Sequence, residues 1–275
     1  MSERRLEMEV EVPGTPEQVW EAIATGPGIT AWFVPAEIEE REGGAMAFDM
    51  GGGLESGGTV RVWEPPHRFV GAEDWPVAEG EAPITLASEW LVEALAGGTC
   101  IVRLVTTMSG TGDWSEELEQ MREGWSMYFR VLKLYLAEFA GQPCSTILTM
   151  GQASGTVQEA WRAFAGALGV PEALAEGDRM SVGGAGAPPL GGTVDAHVGS
   201  AWHHSFMLTL DEPGPGFAFA GVHMWQGQAH TTIHVYQYGE EGRRVVVRDE
   251  AKWEAWMARH FPTADQGTGV DASTR

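Results

Sequence analysis

The sequence predicts an α+β protein in which a curved antiparallel sheet packs on a long C-terminal helix, and predicts it in two copies. Three observations carry this. First, between Glu116 and Gly141 the residues Leu118, Met121, Trp125, Tyr128, Leu132, Tyr135 and Phe139 recur at alternating spacings of three and four. They form one apolar stripe on an amphipathic helix. At ~1.5 Å per residue that helix is roughly 37 Å long, so its stripe needs a large partner surface. Second, what precedes it reads as strands in quick succession after one short helical stretch, and strands bunched between helices indicate α+β layering rather than parallel α/β. Third, the chain restarts after a linker at 142–145. The run Thr15-Pro-Glu-Gln-Val-Trp-Glu-Ala-Ile-Ala24 lies on Thr156-Val-Gln-Glu-Ala-Trp-Arg-Ala-Phe-Ala165 at an offset of 141 residues, and Gly58-Thr59-Val60 recurs as Gly192-Thr193-Val194. The expected domains are 1–142 and 145–262, followed by a small, polar, disordered tail at 263–275.

In the first half, Leu6, Met8, Val10 and Val12 alternate with charges, the pattern of a half-buried strand. Thr15 caps a helix with Pro16 in its first position, and Gln18 completes a capping box. Val19, Trp20 and Ile23 form its buried side, and Gly26-Pro27-Gly28 ends it. A second short turn over residues 29–33 stops at Pro35. Strands are expected over 36–40, 45–50, 59–64, 67–73, 84–93 and 99–108, with turns at 51–58, Pro65-Pro66 and Gly97-Gly98. Ser115 is placed to cap the long helix, and Gly141 with Pro143 to end it.

In the second half, Ser145–Gln152 stands where the first strand belongs. Strands are expected over 201–210, 217–225, 229–238 and 243–248, and a shorter last helix over 250–261 carries Trp253, Trp256 and Met257 on its stripe. The glycine-rich run 183–192 reads as a flexible loop. Trp20, Trp125, Trp161 and Trp256 all sit on predicted buried stripes.

Of the 275 residues, 43% are hydrophobic and 20% charged, which suits a globular chain with a real core. The formal net charge is -22, and the first 143 residues hold 25 acids against 9 bases. Such a surface repels phosphate backbones and anionic lipid, so nucleic acid and membrane are poor partners. Cys100 and Cys144 form neither a disulfide framework nor a metal knuckle, which fits a reducing cytoplasm. The first ten residues lack the apolar core of a signal peptide, and no 18-residue apolar run could span a bilayer. Asparagine is absent and Arg outnumbers Lys, a composition bias without functional content.

Several short elements, in order, carry a resemblance over nearly all of residues 5–140. They are Thr15-Pro16 with Trp20, Trp32-Phe33 with Pro35, Pro65-Pro66 with Arg68, Gly98-Thr99, and Gly124-Trp125. This half resembles the homologues of the activator of the heat-shock protein 90 ATPase, within the START-like (SRPBCC, helix-grip) superfamily. In the second half Pro-Pro and Gly-Gly-Thr survive, but Trp-Phe-x-Pro and Gly-Trp do not. The resemblance implies a sheet wrapped round the long helix with an apolar cavity between them. Members bind lipids, hormones or polyketides; some are cyclases and others co-chaperones. No invariant catalytic set carries across, and no cofactor is implied.

Strand alternation points Met46, Phe48, Met50, Val60, Val62, Leu86, Ser88, Trp90, Trp125 and Tyr128 toward one interior. Large flat and flexible side chains suit an apolar ligand, with Ser88 and Tyr128 as polar handles. Six of the eight histidines lie between 197 and 234. Of these, His230 and His234 share a strand face with Tyr236, while His223 and Trp225 stand opposite on the preceding strand. Their spacing matches no metal motif, and no carboxylate is near in sequence. The resemblance, together with the lack of a paired acid and base in the predicted interior, implies a non-enzymatic binder of a small apolar ligand, with a stress-related or regulatory role. Two alternatives stay open: a polyketide cyclase or dehydratase-like enzyme, and a co-chaperone that stimulates a heat-shock protein 90 type ATPase.

Overall fold

The computed structural model describes residues 2–75, 84–110, 115–184, 186–225 and 227–263. The tail expected to be disordered lies, apart from Thr263, outside the described residues. In the first half, β1 (Ser2–Pro13) leads through α1 (Pro16–Ala24) and α2 (Gly26–Thr30) into β2 (Ala36–Ile38), β3 (Ala45–Asp49), β4 (Glu55–Glu64), β5 (Arg68–Trp75), β6 (Ile84–Ala94) and β7 (Thr99–Gly110). The long helix α3 (Ser115–Glu138) follows. The strands form one antiparallel sheet in the order β1-β7-β6-β5-β4-β3-β2. The predicted capping box starts α1: Gln18 N–H donates to Thr15 Oγ1 at 3.4 Å and Thr15 N–H donates to Gln18 Oε1 at 2.9 Å. Period-2 alternation sorts the faces. Leu6, Val12, Val102, Leu104, Trp90 and Phe69 are buried inside, while Arg103 pairs with Glu7 and Glu9 outside.

The second half repeats this connectivity with one strand and one helix fewer. It runs β8 (Cys144–Ala153), α4 (Val157–Leu168), β9 (Arg179–Val182), β10 (Leu190–Gly199), β11 (His203–Glu212), β12 (Gly216–Trp225), β13 (Gln228–Tyr238) and α5 (Gly239–His260). The strand order β8-β13-β12-β11-β10-β9 matches the first sheet with the strand equivalent to β2 missing. Thr156 and Glu159 repeat the capping box of α1. Both halves are thus helix-grip units of α+β type.

Four expectations need correction. Residues 243–248 are helical, not a strand. Val245, Asp249, Trp253 and Trp256 recur at helical spacing and are all buried, so tertiary packing overrides the strand propensity of three consecutive valines. Strands β9 and β10 were not expected. Within the run 183–192, read as a free loop, residues from Leu190 on are strand β10, and Gly184 packs on α4: a Cβ there would stand 1.8 Å from Ala167 O, so only glycine admits that approach. Trp125 and Trp161 are only half-buried, whereas Trp20 and Trp256 are buried.

The two units stack. On one side α3 meets the first sheet, with Trp125 and Phe129 against Trp90 at ring distances of 5.4 and 6.1 Å. On its other side Tyr135 and Phe139 stack on Tyr238 of β13, and Phe139 packs edge-on to Phe217 of β12. Arg130 Nε donates to the Asp195 carboxylate of β10, and its Nη2 to the Asp195 carbonyl. The second sheet is therefore covered on both faces. Phe206, Leu208, Ala218 and Ile233 pack on α4 and α5, while Met207, Phe217, Tyr236 and Tyr238 belong to the core of the first unit.

Candidate functional site

Cross-strand register sets out the inner face of the first sheet. Leu86, Ser88 and Trp90 of β6 face Met108, Thr106 and Leu104 of β7, and on β5 they face Glu73, Gly71 and Phe69. Two apolar groups form there. The larger holds Trp32, Trp90, Leu104, Phe129 and Leu132. The smaller joins Leu86 and Met108 to Leu118 and Met121 of α3. A polar strip of Ser88, Thr106, Glu73 and Ser56 runs beside the smaller group. Ser56 Oγ donates to the Glu73 carboxylate, and burial pushes the Glu73 carboxyl above its ordinary value. Thr106 is fully buried, and its Oγ1 has no protein partner. A buried hydroxyl left in that state costs about 1–3 kcal/mol.

An aromatic wall borders the strip. Phe33 lies 4.6 Å from Tyr128, 5.0 Å from Trp125 and 6.4 Å from Phe48, measured between ring centres. Phe48, Trp125 and Tyr128 are only half-buried. Protein nevertheless surrounds the Tyr128 phenol closely enough to push it up to about 12 by desolvation.

The predicted residues distribute as follows. Met46, Val60, Leu86 and Trp90 are buried on the inner face. The Met46 thioether fills the place of a missing side chain, since a Cβ on Gly71 would stand 2.6 Å from its Cε. Phe48, Met50, Ser88, Trp125 and Tyr128 are half-buried. Val62 is a correction. The pairing of β4 with β5 slips between Val60 and Val62, so this bulge turns Val62 outward and puts Trp63 inside, against Trp20 and Phe69. Alternation alone cannot see such a slip. Glu73, Thr106 and Phe33 were also missed as site residues; Glu73 and Thr106 sit in register with predicted inner positions, which is the signal that could have found them.

The second predicted cluster does share one face. His223 pairs with His230 at a ring distance of 5.5 Å, Trp225 lies 5.9 Å from His230, and His234 stacks on Tyr236 at 4.1 Å. That face looks toward the first unit, not toward the second unit's own helices. Tyr236 OH donates to Phe33 O at 2.6 Å, and Tyr238 OH donates to Ala31 O at 2.7 Å. Trp225 is at the exposed edge, and His203 joins the face opposite His223. Desolvation lowers His203 and His223 to about 4 and His234 to about 3, so all three imidazoles are neutral at pH 7. Among the described residues no three His, Cys, Asp or Glu side chains gather as a metal site. Two shallow depressions of about 360 and 350 Å3 lie elsewhere, one by Glu42 and Arg61, the other by Arg68 and Arg103.

Residues 13–137 match the family described as Activator of Hsp90 ATPase homolog 1-like protein. That match covers most of the first unit. Comparison with curated protein sequences finds no match. Among solved structures, protein MLL2253 from Mesorhizobium loti is 18% identical at a TM-score of 0.44, covering 50% of this chain and 98% of its own. Two others span both units. DynU16, described as a putative protein in the dynemicin biosynthetic locus, is 16% identical at a TM-score of 0.41, covering 92% of this chain and 96% of its own. The di-domain ARO/CYC BexL from the BE-7585A biosynthetic pathway is 12% identical at 0.43, covering 95% and 99%. The first unit holds the polar strip and the aromatic wall, and the second unit closes over the other side of its long helix. No helix among the described residues is long and apolar enough to cross a membrane.

Proposed function

We propose that the first unit binds a small, largely apolar molecule, without chemistry on it, between its sheet and α3. The polar strip beside the smaller apolar group carries this reading. Thr106 Oγ1 lacks a partner, Ser88 is half-buried and Glu73 is desolvated, while Phe48, Met121 and Trp125 offer half-buried apolar surface alongside. A ligand with an apolar body and one hydroxyl or carbonyl satisfies both needs. Packing energy comes from the aromatic and thioether contacts, and orientation comes from Thr106 and Ser88.

The neutral fluorophore N-phenyl-1-naphthylamine tests this. The full-length protein should enhance its emission saturably. Gly71→Leu should weaken binding about tenfold or more, because the new side chain takes the place of the flexible Met46 tip and drives it into the ligand space. An unchanged affinity in that variant, with the fold intact by circular dichroism, overturns the assignment. Native mass spectrometry of protein from its own host then identifies the molecule retained.

A further inference from the structure

The face of the second sheet that looks toward α3 holds buried polar atoms that the concave site does not use. His203 is 9% exposed, and Ser205 and His234 are fully buried. His203 Nδ1, Ser205 Oγ and His234 Nε2 have no protein partner. All three belong to one face. Ser205 is two residues along β11 from His203, and it stands across Gly221 from Thr232 and diagonally from His234. Native interiors leave few such atoms unpaired, and three on one face is a concentration.

The hydrogen count at His234 fixes what one of them needs. Tyr236 has a single hydroxyl hydrogen, and it goes to Phe33 O, which can only accept. The 3.0 Å contact between Tyr236 OH and His234 Nδ1 must then be donated by the imidazole. Nε2 is left as a buried acceptor to which the protein gives no donor. The opposite wall belongs to α3. Glu123 accepts from Ser200 Oγ, beside the start of β11, and Tyr128 meets the Phe33 ring whose carbonyl holds Tyr236. Between them Gly124 stands with no heavy atom within 4 Å of where a Cβ would be. Phe219, half-buried and stacked on His203 at 6.0 Å, adds an aromatic surface.

We infer that the cleft between α3 and strands β11–β13 is a second binding site, for a small uncharged molecule that carries hydroxyl groups. One hydroxyl donates to His234 Nε2 and another bonds Ser205 Oγ or His203 Nδ1, while the aromatic body lies by Phe219 and Tyr128. The molecule is uncharged because β11–β13 carry no acid, lysine or arginine around His203, Ser205 and His234, and Asp211, at the far end of β11, is paired with Arg179. The nearest charged groups on α3 are already engaged, Glu123 with Ser200 and Arg130 with Asp195.

Resorcinol is the probe, with full-length protein labelled with 15N at histidine. At millimolar resorcinol the His234 Nε2 resonance should move toward the hydrogen-bonded acceptor position, together with a His203 signal. Benzoate, of similar size but anionic, should leave both in place. Ser205→Ala, which removes one partner without touching the Tyr236 contact, should weaken resorcinol about 5- to 10-fold, as expected for one hydrogen bond. Gly71→Leu should leave resorcinol binding intact, which separates this site from the concave one. The inference is overturned if His234 and His203 do not respond to resorcinol, if benzoate moves them equally, or if Nε2 is already hydrogen-bonded to water in the free protein and stays so.

Discussion

His234 takes its tautomer from Tyr236, whose hydroxyl is in turn held by Phe33 O, 203 residues before that tyrosine. Period-2 alternation on β13 was enough to put it beside Tyr236 and across from the preceding strand, and both relations hold. Nothing in the local sequence says that Phe33 O lies above them, because that contact belongs to the docking of one unit on the other. The same docking buries the imidazoles and sets a pH dependence. His203 and His234 titrate near 4 and near 3 when folded, against about 6.5 in an unfolded chain. Below about pH 6.5 the unfolded chain therefore binds more protons, so stability present at neutral pH is lost as pH falls toward 4. Each of these two, and His223, which also titrates near 4, contributes a slope of about 1.4 kcal/mol per pH unit across that window. The groups around them are His204, His223, His230 and Tyr236 on the sheet, and Tyr128 and Glu123 on α3. Urea unfolding between neutral pH and about pH 4.5 should show this slope, and His203→Phe should remove close to one proton from it. A stability flat over that range would mean that the histidines are hydrated.

At the scale of single elements, α3 was legible as a helix but not as a central layer. Its predicted stripe through Trp125, Leu132 and Tyr135 is real, yet Met127 and Val131 are buried as well. A helix covered on two sides needs apolar residues beyond one stripe, and a search for one face reads the extra ones as noise. The reverse error occurred at 243–248, where three valines read as a strand although Val245 already begins the spacing that runs to Trp253 and Trp256. The end of α1 was read from Gly26-Pro27-Gly28, but these residues open α2 rather than precede it, so the second turn expected over 29–33 begins earlier, and its constraint can be measured. A Cβ on Gly28 would stand 1.9 Å from Glu21 O, which is backbone and cannot rotate away. Gly28 N–H also donates to Thr25 Oγ1 at 3.0 Å, the cap of α2. Gly28→Ala should therefore destabilise the protein by about 1–3 kcal/mol through backbone displacement. Gly124→Ala, on open helix surface facing the cleft, should be neutral or slightly stabilising. Thermal denaturation of the two variants side by side decides it, and equal melting temperatures would refute the packing described here.

Across the whole molecule, the duplication was visible in Thr15–Ala24 against Thr156–Ala165, and the repeated strand order bears it out. How the copies associate was not visible. The outer face of the first sheet is charged, with Arg103 between Glu7 and Glu9, but the equivalent face of the second carries Met207, Phe217, Tyr236 and Tyr238 and is buried against α3. Burying a side chain of that size contributes about 1.5–3 kcal/mol, so the second unit cannot expose this face cheaply. Expressed alone, residues 144–263 should self-associate or bind an apolar dye. Mixed with residues 1–143, they should form a one-to-one complex that does neither. Arg130 anchors the joint through both the carboxylate and the carbonyl of Asp195, which is 22% exposed. Hydrogen bonds to charged groups are worth about 1.5–3 kcal/mol, so Arg130→Ala should weaken reassociation of the fragments roughly 10- to 100-fold. Sedimentation of the wild-type and variant mixtures reads this directly. If the isolated second unit is monomeric and indifferent to the first, the stacked arrangement is not what stabilises either half, and the cleft between them has no fixed walls with which to bind anything.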